Sequence, residues 1–289
     1  MITRIKKRDG RTDPFSIEKI AMGIFRAAQS VGGSDYETAY KLAESAASLL
    51  EDKVGSGAVP DVDQVQDAVE KVFGRREGIT GCSRTDAGVH AGQYFFHMDT
   101  GSRIPVDAAV RAMNVNLPGD IAVLSCREVP PSFHARYSVL WKEYTYKIWN
   151  APVRSPFYDG LMLMHPYPLD EALMDRCAKE FIGTHDFRGF CSTGSKAKPT
   201  ILDGGESTVR TVFAASVRRE GDVVLFTVRG DGFLYNMVRI MAGTLLLTGL
   251  GRLEPGDLTE IIKSGDRTRA GVTAPAAGLY LTRVSYTPY

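Results

Sequence analysis

The run Gly81-Cys82-Ser83-Arg84-Thr85-Asp86-Ala87-Gly88-Val89-His90-Ala91 gathers a guanidinium, a carboxylate, a thiol, two hydroxyls and an imidazole into one short stretch. A Gly-rich turn carrying Arg84 and Asp86 two residues apart, just ahead of a strand-like segment, can hold a carboxylate at the rim of a sheet. So placed, a carboxylate can act as a nucleophile or remove a proton. The same residues also describe an ordinary turn, with Asp86 bonding backbone N–H groups and Gly88 supplying a positive φ. Taken alone, the turn is the weightier reading. The histidines are weaker candidates. His90 and His97 flank one strand-like segment without metal spacing, and no carboxylate partner is evident, so no metal site is expected. Cys82 adjoins the cluster and reads as a small buried thiol. Cys126, Cys177 and Cys191 lie far from it and from one another, with no C-x-x-C pair. That argues against a zinc ribbon or a disulfide framework, and for reduced thiols in a cytoplasmic protein.

The chain has 289 residues, of which 44% are hydrophobic and 24% charged, the balance of a globular protein with a real core. No apolar run approaches the roughly 20 residues needed to cross a bilayer. The opening Met1-Ile2-Thr3-Arg4-Ile5-Lys6-Lys7 lacks the apolar core of a signal peptide, so the mature protein is expected to begin there. Lys plus Arg is 35 against 34 for Asp plus Glu, a net charge of +1 that announces no polyanionic partner. The distribution is less even. Arg103, Arg111, Arg127, Arg136, Lys142, Lys147 and Arg154 fall in one central region with interleaved Tyr and Trp, a composition that can track a phosphate backbone. An ordinary solvated surface is the alternative for any one of them. From Asp35 to Glu70, acidic side chains outnumber basic ones.

Positioning these residues requires a scaffold, and the periodicities outline one. Apolar residues from Ile17 through Ile20, Ile24 and Phe25 recur on one helical face, ended by Gly32-Gly33. Ser34 to Glu37 is a capping-box pattern that opens a second helix to about Leu50. Gly55 to Pro60 reads as a linker, after which Asp61 caps a third helix with Val62, Val65, Val69 and Val72 on one side. Beyond Gly81, strands are expected at Val89 to His97, Ile121 to Val129 and His134 to Trp149. Tyr144, Tyr146 and Ile148 share a face of the last of these. Helices are expected at Val106 to Met113, Asp170 to Ile182, Leu234 to Leu247 and Asp257 to Lys263. The Leu234 to Leu247 helix, apolar nearly all round, should be buried. A hairpin joins Val209–Val217 to Val223–Val228, and a last strand runs from Leu279 to Tyr286. Long antiparallel strands with segregated helices indicate an α+β fold.

Arg84 to Ala91 followed by Gly92-Gln93 resembles the catalytic motif of TruA-type tRNA pseudouridine synthases. Further matches follow in order: Asn114 to Ile121, Phe133-His134-Ala135-Arg136, Lys142 to Tyr146, Gly183 to Phe187, Phe233 to Arg239 and Gly278 to Leu281. The resemblance covers roughly residues 64 to 286. It implies two synthase halves with antiparallel sheets flanking a cleft, at about 74–150 and 151–289, the first incomplete at its start. It also implies detachment of uridine from its ribose, rotation, and rejoining through a carbon of the base, without a catalytic cofactor. By family position Asp86 is the nucleophile or proton acceptor, Tyr144 stacks on the target base, and Arg239 is the pocket arginine. A guanidinium beside a desolvated carboxylate offsets the cost of keeping it ionised. Arg84, His90 and Arg136 match the RNA-contacting positions, Arg84 against the RNA backbone or in the place of a flipped-out nucleotide. The implied substrate is uridine on the 3′ side of the tRNA anticodon stem-loop, and the implied assembly a homodimer.

The front of the chain departs from that family. The usual Gly-Trp-Gln element is absent, since Trp141 and Trp149 are the only tryptophans. Instead Ile5 to Arg11, with Pro14 to Ile20, resembles an ATP-cone over residues 1–73. Such a module binds ATP or dATP, and Lys7, Arg8 and Lys19 are its matching cations, able to meet phosphates. Two functions therefore stand side by side: an isomerase using Asp86, or a nucleotide- or RNA-binding protein with an impaired synthase half. Ile2 to Arg8 alternates like a strand and ends in Asp9-Gly10, as the synthases' own first strand does. The expectation is that it substitutes for that strand in the synthase sheet.

Overall fold

The computed structural model describes residues 4–6, 12–14, 62–74, 78–192 and 207–287. The helices expected from Ile17 and Ser34, and the cations Lys7, Arg8 and Lys19, lie outside those residues. The chain divides into two compact units, Met1–Ala58 and Val59–Tyr289.

In the first unit, β1 (Arg4–Lys6) pairs antiparallel with β2 (Thr12–Pro14), Ile5 opposite Asp13, in a sheet of two strands. This corrects the expectation that Ile2 to Arg8 joins the synthase sheet. The partner strand begins only a few residues after Asp9-Gly10, and closing so short a loop costs less entropy than a distant pairing.

The second unit is α+β. Its larger sheet has seven strands: β4 (His90–Ala91), β6 (Trp141–Trp149), β7 (Leu163–Met164), β8 (Gly183–Asp186), β9 (Val209–Glu220), β10 (Val223–Gly230) and β11 (Leu279–Ser285). The order is β4-β11-β6-β10-β9-β8, with β7 also beside β6; β4–β11 and β6–β7 are parallel and the other pairings antiparallel. The β9–β10 hairpin turns at Gly221, whose φ of 58° suits the residue without a Cβ. Alternation along β6 and β10 sends Tyr146, Ile148, Val224, Phe226 and Val228 into one core, each fully buried. That core is closed by α3 (Glu171–Ala178), α4 (Met237–Gly249) and α5 (Asp257–Ser264), which contribute Met174, Ile240, Met241, Leu245, Leu258 and Ile261. Thr145, Ser216, Thr227 and Thr282, with Glu143, Arg218 and Arg283, line a shallow polar depression on the sheet.

A smaller layer precedes it. Helices α1 (Val62–Phe73) and α2 (Val106–Asn116) share a second core with the hairpin of β3 (Ile79–Gly81) and β5 (Phe96–Met98). Val69 is fully buried there and Val65 and Val72 pack beside it, as the sequence pattern requires.

Three strand expectations are revised. Val89 to His97 is not one strand: β4 joins the large sheet and β5 the hairpin. The chain crosses between them where the N–H groups of Gly92 and Gln93 both donate to Leu281 O. Ile121 to Val129 forms no strand, and no strand pairs with it among the described residues. Val123 alone is clasped, its N–H and C=O both bonded to the Asn114 amide at 2.7 and 2.8 Å. The long strand expected from His134 begins only at Trp141. His134–Ser138 closes as a turn instead, through Ser138 N–H to His134 O and His134 N–H to Ser138 Oγ.

Candidate active site

Asp86 lies in the loop between β3 and β4, where Val89 N–H donates to the Asp86 backbone carbonyl at 3.0 Å. Gly88 follows at φ 86°, and a Cβ there would press on Ala276 at 3.0 Å. Both the turn geometry and the close approach of the 270s segment therefore call for glycine. Gly88 supplies the positive φ of the expected turn, but the Asp86 carboxylate meets Arg239 instead of the backbone N–H groups expected of it.

Arg239 comes from α4, 153 residues away in sequence, and its Nη1 reaches Asp86 Oδ2 at 3.3 Å. Its placement is over-determined. Nε donates to Ala274 O at 2.7 Å, Ala274 N–H returns a bond to Arg239 O at 3.1 Å, and Nη1 donates to Asn236 Oδ1 at 2.8 Å. One turn further along α4, Gly243 passes the Gly271–Val272 backbone so closely that a Cβ on Gly243 would collide with the Val272 carbonyl. That contact, helix backbone against loop backbone, brings Ala274 within reach of the guanidinium.

Asn236 was not singled out from the sequence. It stands immediately before α4 with φ 60°, and no other non-glycine residue among those described has positive φ. Its side chain bridges two elements, accepting from Arg239 and donating to Ser192 Oγ at 2.9 Å. Local strain held by neighbours is a recurrent mark of functional sites. The signal available in the sequence was an Asn, tolerant of left-handed backbone, three residues ahead of an arginine.

Tyr144 enters from the centre of β6. It is 7% exposed, its ring meets Phe233 edge-to-face at 5.2 Å, and its hydroxyl lies 3.0 Å from Ser83 Oγ. Burial pushes the phenol up to about 12, with the Ser83 hydrogen bond acting against that rise. Ser83 is held in turn by Tyr94, whose hydroxyl donates to the Ser83 carbonyl at 2.7 Å. Asp86, Tyr144 and Arg239 thus belong to one neighbourhood built from the β3–β4 loop, β6 and α4.

The RNA-contact candidates divide. Arg84 is exposed and has no ion pair among the described residues. His90 is engaged with its own fold: Nε2 is 3.0 Å from Gly160 O, and the ring stacks on Tyr280 at 4.5 Å. Arg136 is half-buried beside Cys82 and Lys142, and its Nε finds no hydrogen-bond partner. Among the other central cations, Arg103, Arg111, Arg127 and Arg154 are exposed, while Lys147 lies over the Tyr280 ring at 3.7 Å. Cys82, Cys126, Cys177 and Cys191 are all free thiols, and burial raises the Cys82 pKa.

A family model described as tRNA pseudouridine synthase matches residues 177–287, and an ATP cone domain model matches residues 3–77. Among similar proteins, the tRNA pseudouridine synthase A of Ruminiclostridium cellulolyticum is 43% identical over 223 residues, covering 77% of this chain and 88% of that one. The protein of the same name from Brevibacillus brevis is 44% identical over 231 residues, covering 78% and 91%. That from Staphylococcus aureus is 41% identical over 221 residues, covering 76% and 81%.

Proposed function

Because this chain belongs to the tRNA pseudouridine synthase family, we propose that it isomerises uridine to pseudouridine in tRNA, with Asp86 as the reacting carboxylate. The observation that carries the assignment is the Arg239–Asp86 contact, made across 153 residues of sequence and braced by Asn236 and Ala274. An arginine fixed by two other acceptors holds a carboxylate in one orientation at no further cost during the reaction. The carboxylate then attacks the ribose or removes a proton from it, the N-glycosidic bond opens, and the base turns. A bond closes between the ribose carbon and C5 of the base as Asp86 is released or returns its proton. C5 loses its hydrogen to solvent, and the former glycosidic nitrogen takes up a proton. Nothing is oxidised or hydrolysed, so the isomerisation consumes no cofactor. Tyr144 contributes the aromatic wall for the target base and Arg84 the contact to the RNA backbone.

The intact Asp86–Arg239–Asn236 constellation favours an enzyme over a binding protein with an impaired synthase half. The finer reading is uridine on the 3′ side of the anticodon stem-loop, a homodimer, and a cytoplasmic location. That reading rests on the family resemblance; the exposed central arginines support contact with a tRNA phosphate backbone. The ATP cone match supports ATP or dATP binding through Lys7, Arg8 and Lys19 over residues 1–73. Residues 74–150 and 151–289 are then the two synthase halves. The test is tritium release from tRNA carrying 5-tritiated uridine. The wild-type chain should release tritium and Asp86→Asn should not; equal release by both refutes the role of Asp86.

A further inference from the structure

Strand β6 places Lys142 and Tyr144 two residues apart, hence on the same face, and the β3–β4 loop lays Ser83 across both. Ser83 Oγ is 3.0 Å from the Tyr144 hydroxyl and 3.4 Å from Lys142 Nζ. Among the described residues Lys142 has no carboxylate within ion-pair distance. Its titratable neighbours are the buried Cys82 thiol and the Arg136 guanidinium, with burial the main influence lowering its pKa. A half-buried ammonium between a thiol and a second cation works against stability, so its position asks for another reason. From the geometry we infer that Lys142 and Ser83 are positioning residues that hold the Tyr144 hydroxyl for the isomerisation. An ammonium only donates, so Ser83 Oγ accepts from Lys142. The Ser83 proton is then directed to the Tyr144 oxygen, the cooperative sense of a donor chain. Tyr94, bonded to the Ser83 carbonyl, keeps the serine backbone in place beneath the chain. The phenol is thereby fixed in one orientation, with its own proton free to point at a group of the substrate.

This inference rests on the proposed activity, and the same assay separates the two. Full-length chain, Ser83→Ala, Ser83→Thr and Lys142→Met are compared by steady-state tritium release, with thermal melts alongside. Ser83→Ala and Lys142→Met should each lose about tenfold in kcat with KM nearly unchanged, the effect of one lost hydrogen bond in the transition state. Ser83→Thr, which keeps the hydroxyl, should retain most of the wild-type kcat. Unchanged kcat in Ser83→Ala, or Ser83→Thr as weak as Ser83→Ala, overturns the inference while wild-type turnover leaves the activity standing. A raised KM at constant kcat in Lys142→Met also overturns it, since that marks a phosphate ligand instead. A wild-type chain that releases no tritium overturns the proposed activity and this inference with it.

Discussion

Replacing Arg239 by methionine keeps an apolar stem of similar reach and removes every donor that organises the site. The Nε bond to the Ala274 carbonyl is charge-assisted at 2.7 Å and its acceptor residue is 1% exposed, so losing it costs about 2 kcal/mol. The Nη1 bond to Asn236, at 2.8 Å and half-buried, adds roughly 1 kcal/mol. The Asp86 pair contributes little to stability, because that carboxylate is 33% exposed and solvent screens it. The total, about 3 kcal/mol, is below the usual folding margin of about 5–15 kcal/mol, so the variant stays folded at 25 °C. Its melting temperature should fall by about 6–12 °C for a unit of this size. Activity should fall further. With no guanidinium to fix its direction, Asp86 samples other orientations, and a misplacement of about 1 Å costs on the order of 10²-fold in kcat. Calorimetry and single-turnover tritium release on the same preparation check both figures. An Arg239→Met protein that melts with the wild type and turns over within threefold of it would refute the view that this side chain organises the site.

Gly243→Ala places a methyl group into the Val272 carbonyl; it should cost about 3 kcal/mol and, by displacing Ala274, lower kcat together with melting temperature. Tyr144 has a folded pKa of about 12, above its ordinary value of 10, so the neutral phenol is favoured by folding. That contribution is complete below pH 10 and disappears as pH rises toward 12, so alkaline unfolding monitored by circular dichroism should be shallower in Tyr144→Phe over that window. Among the described residues, the smaller core holds only Ala68, Val69 and Met113 as buried residues. Amides of α1, α2, β3 and β5 should therefore exchange well before those of β6 and β10 in native-state hydrogen exchange; equal protection would contradict that ranking.

Most of what could be read from the sequence lay in segments whose burial is one-sided or complete. Strand β10 and helix α4 declare themselves because each apolar position has a core to fill, and the β9–β10 hairpin because Gly221 sits between two alternating runs. Tyr144, Tyr146 and Ile148 were placed on one face by period alone. The carboxylate, the tyrosine and the arginine were each recognisable in their own motifs, yet nothing local related them, because residues 86, 144 and 239 are brought together by the packing of the β3–β4 loop, β6 and α4. Asn236 went unnoticed because strain is a property of backbone torsion, and a side chain's identity only permits it. Ile121 to Val129 has strand composition and no strand, because a ladder needs a second backbone alongside and composition cannot supply one. The front of the chain makes the same point. Ile2 to Arg8 reads equally well as a strand for either sheet, since alternation specifies a pleat and not a partner. The pairing of Arg4–Lys6 with Thr12–Pro14 follows from loop length, a contest between near and distant partners that is decided only when the whole chain has folded.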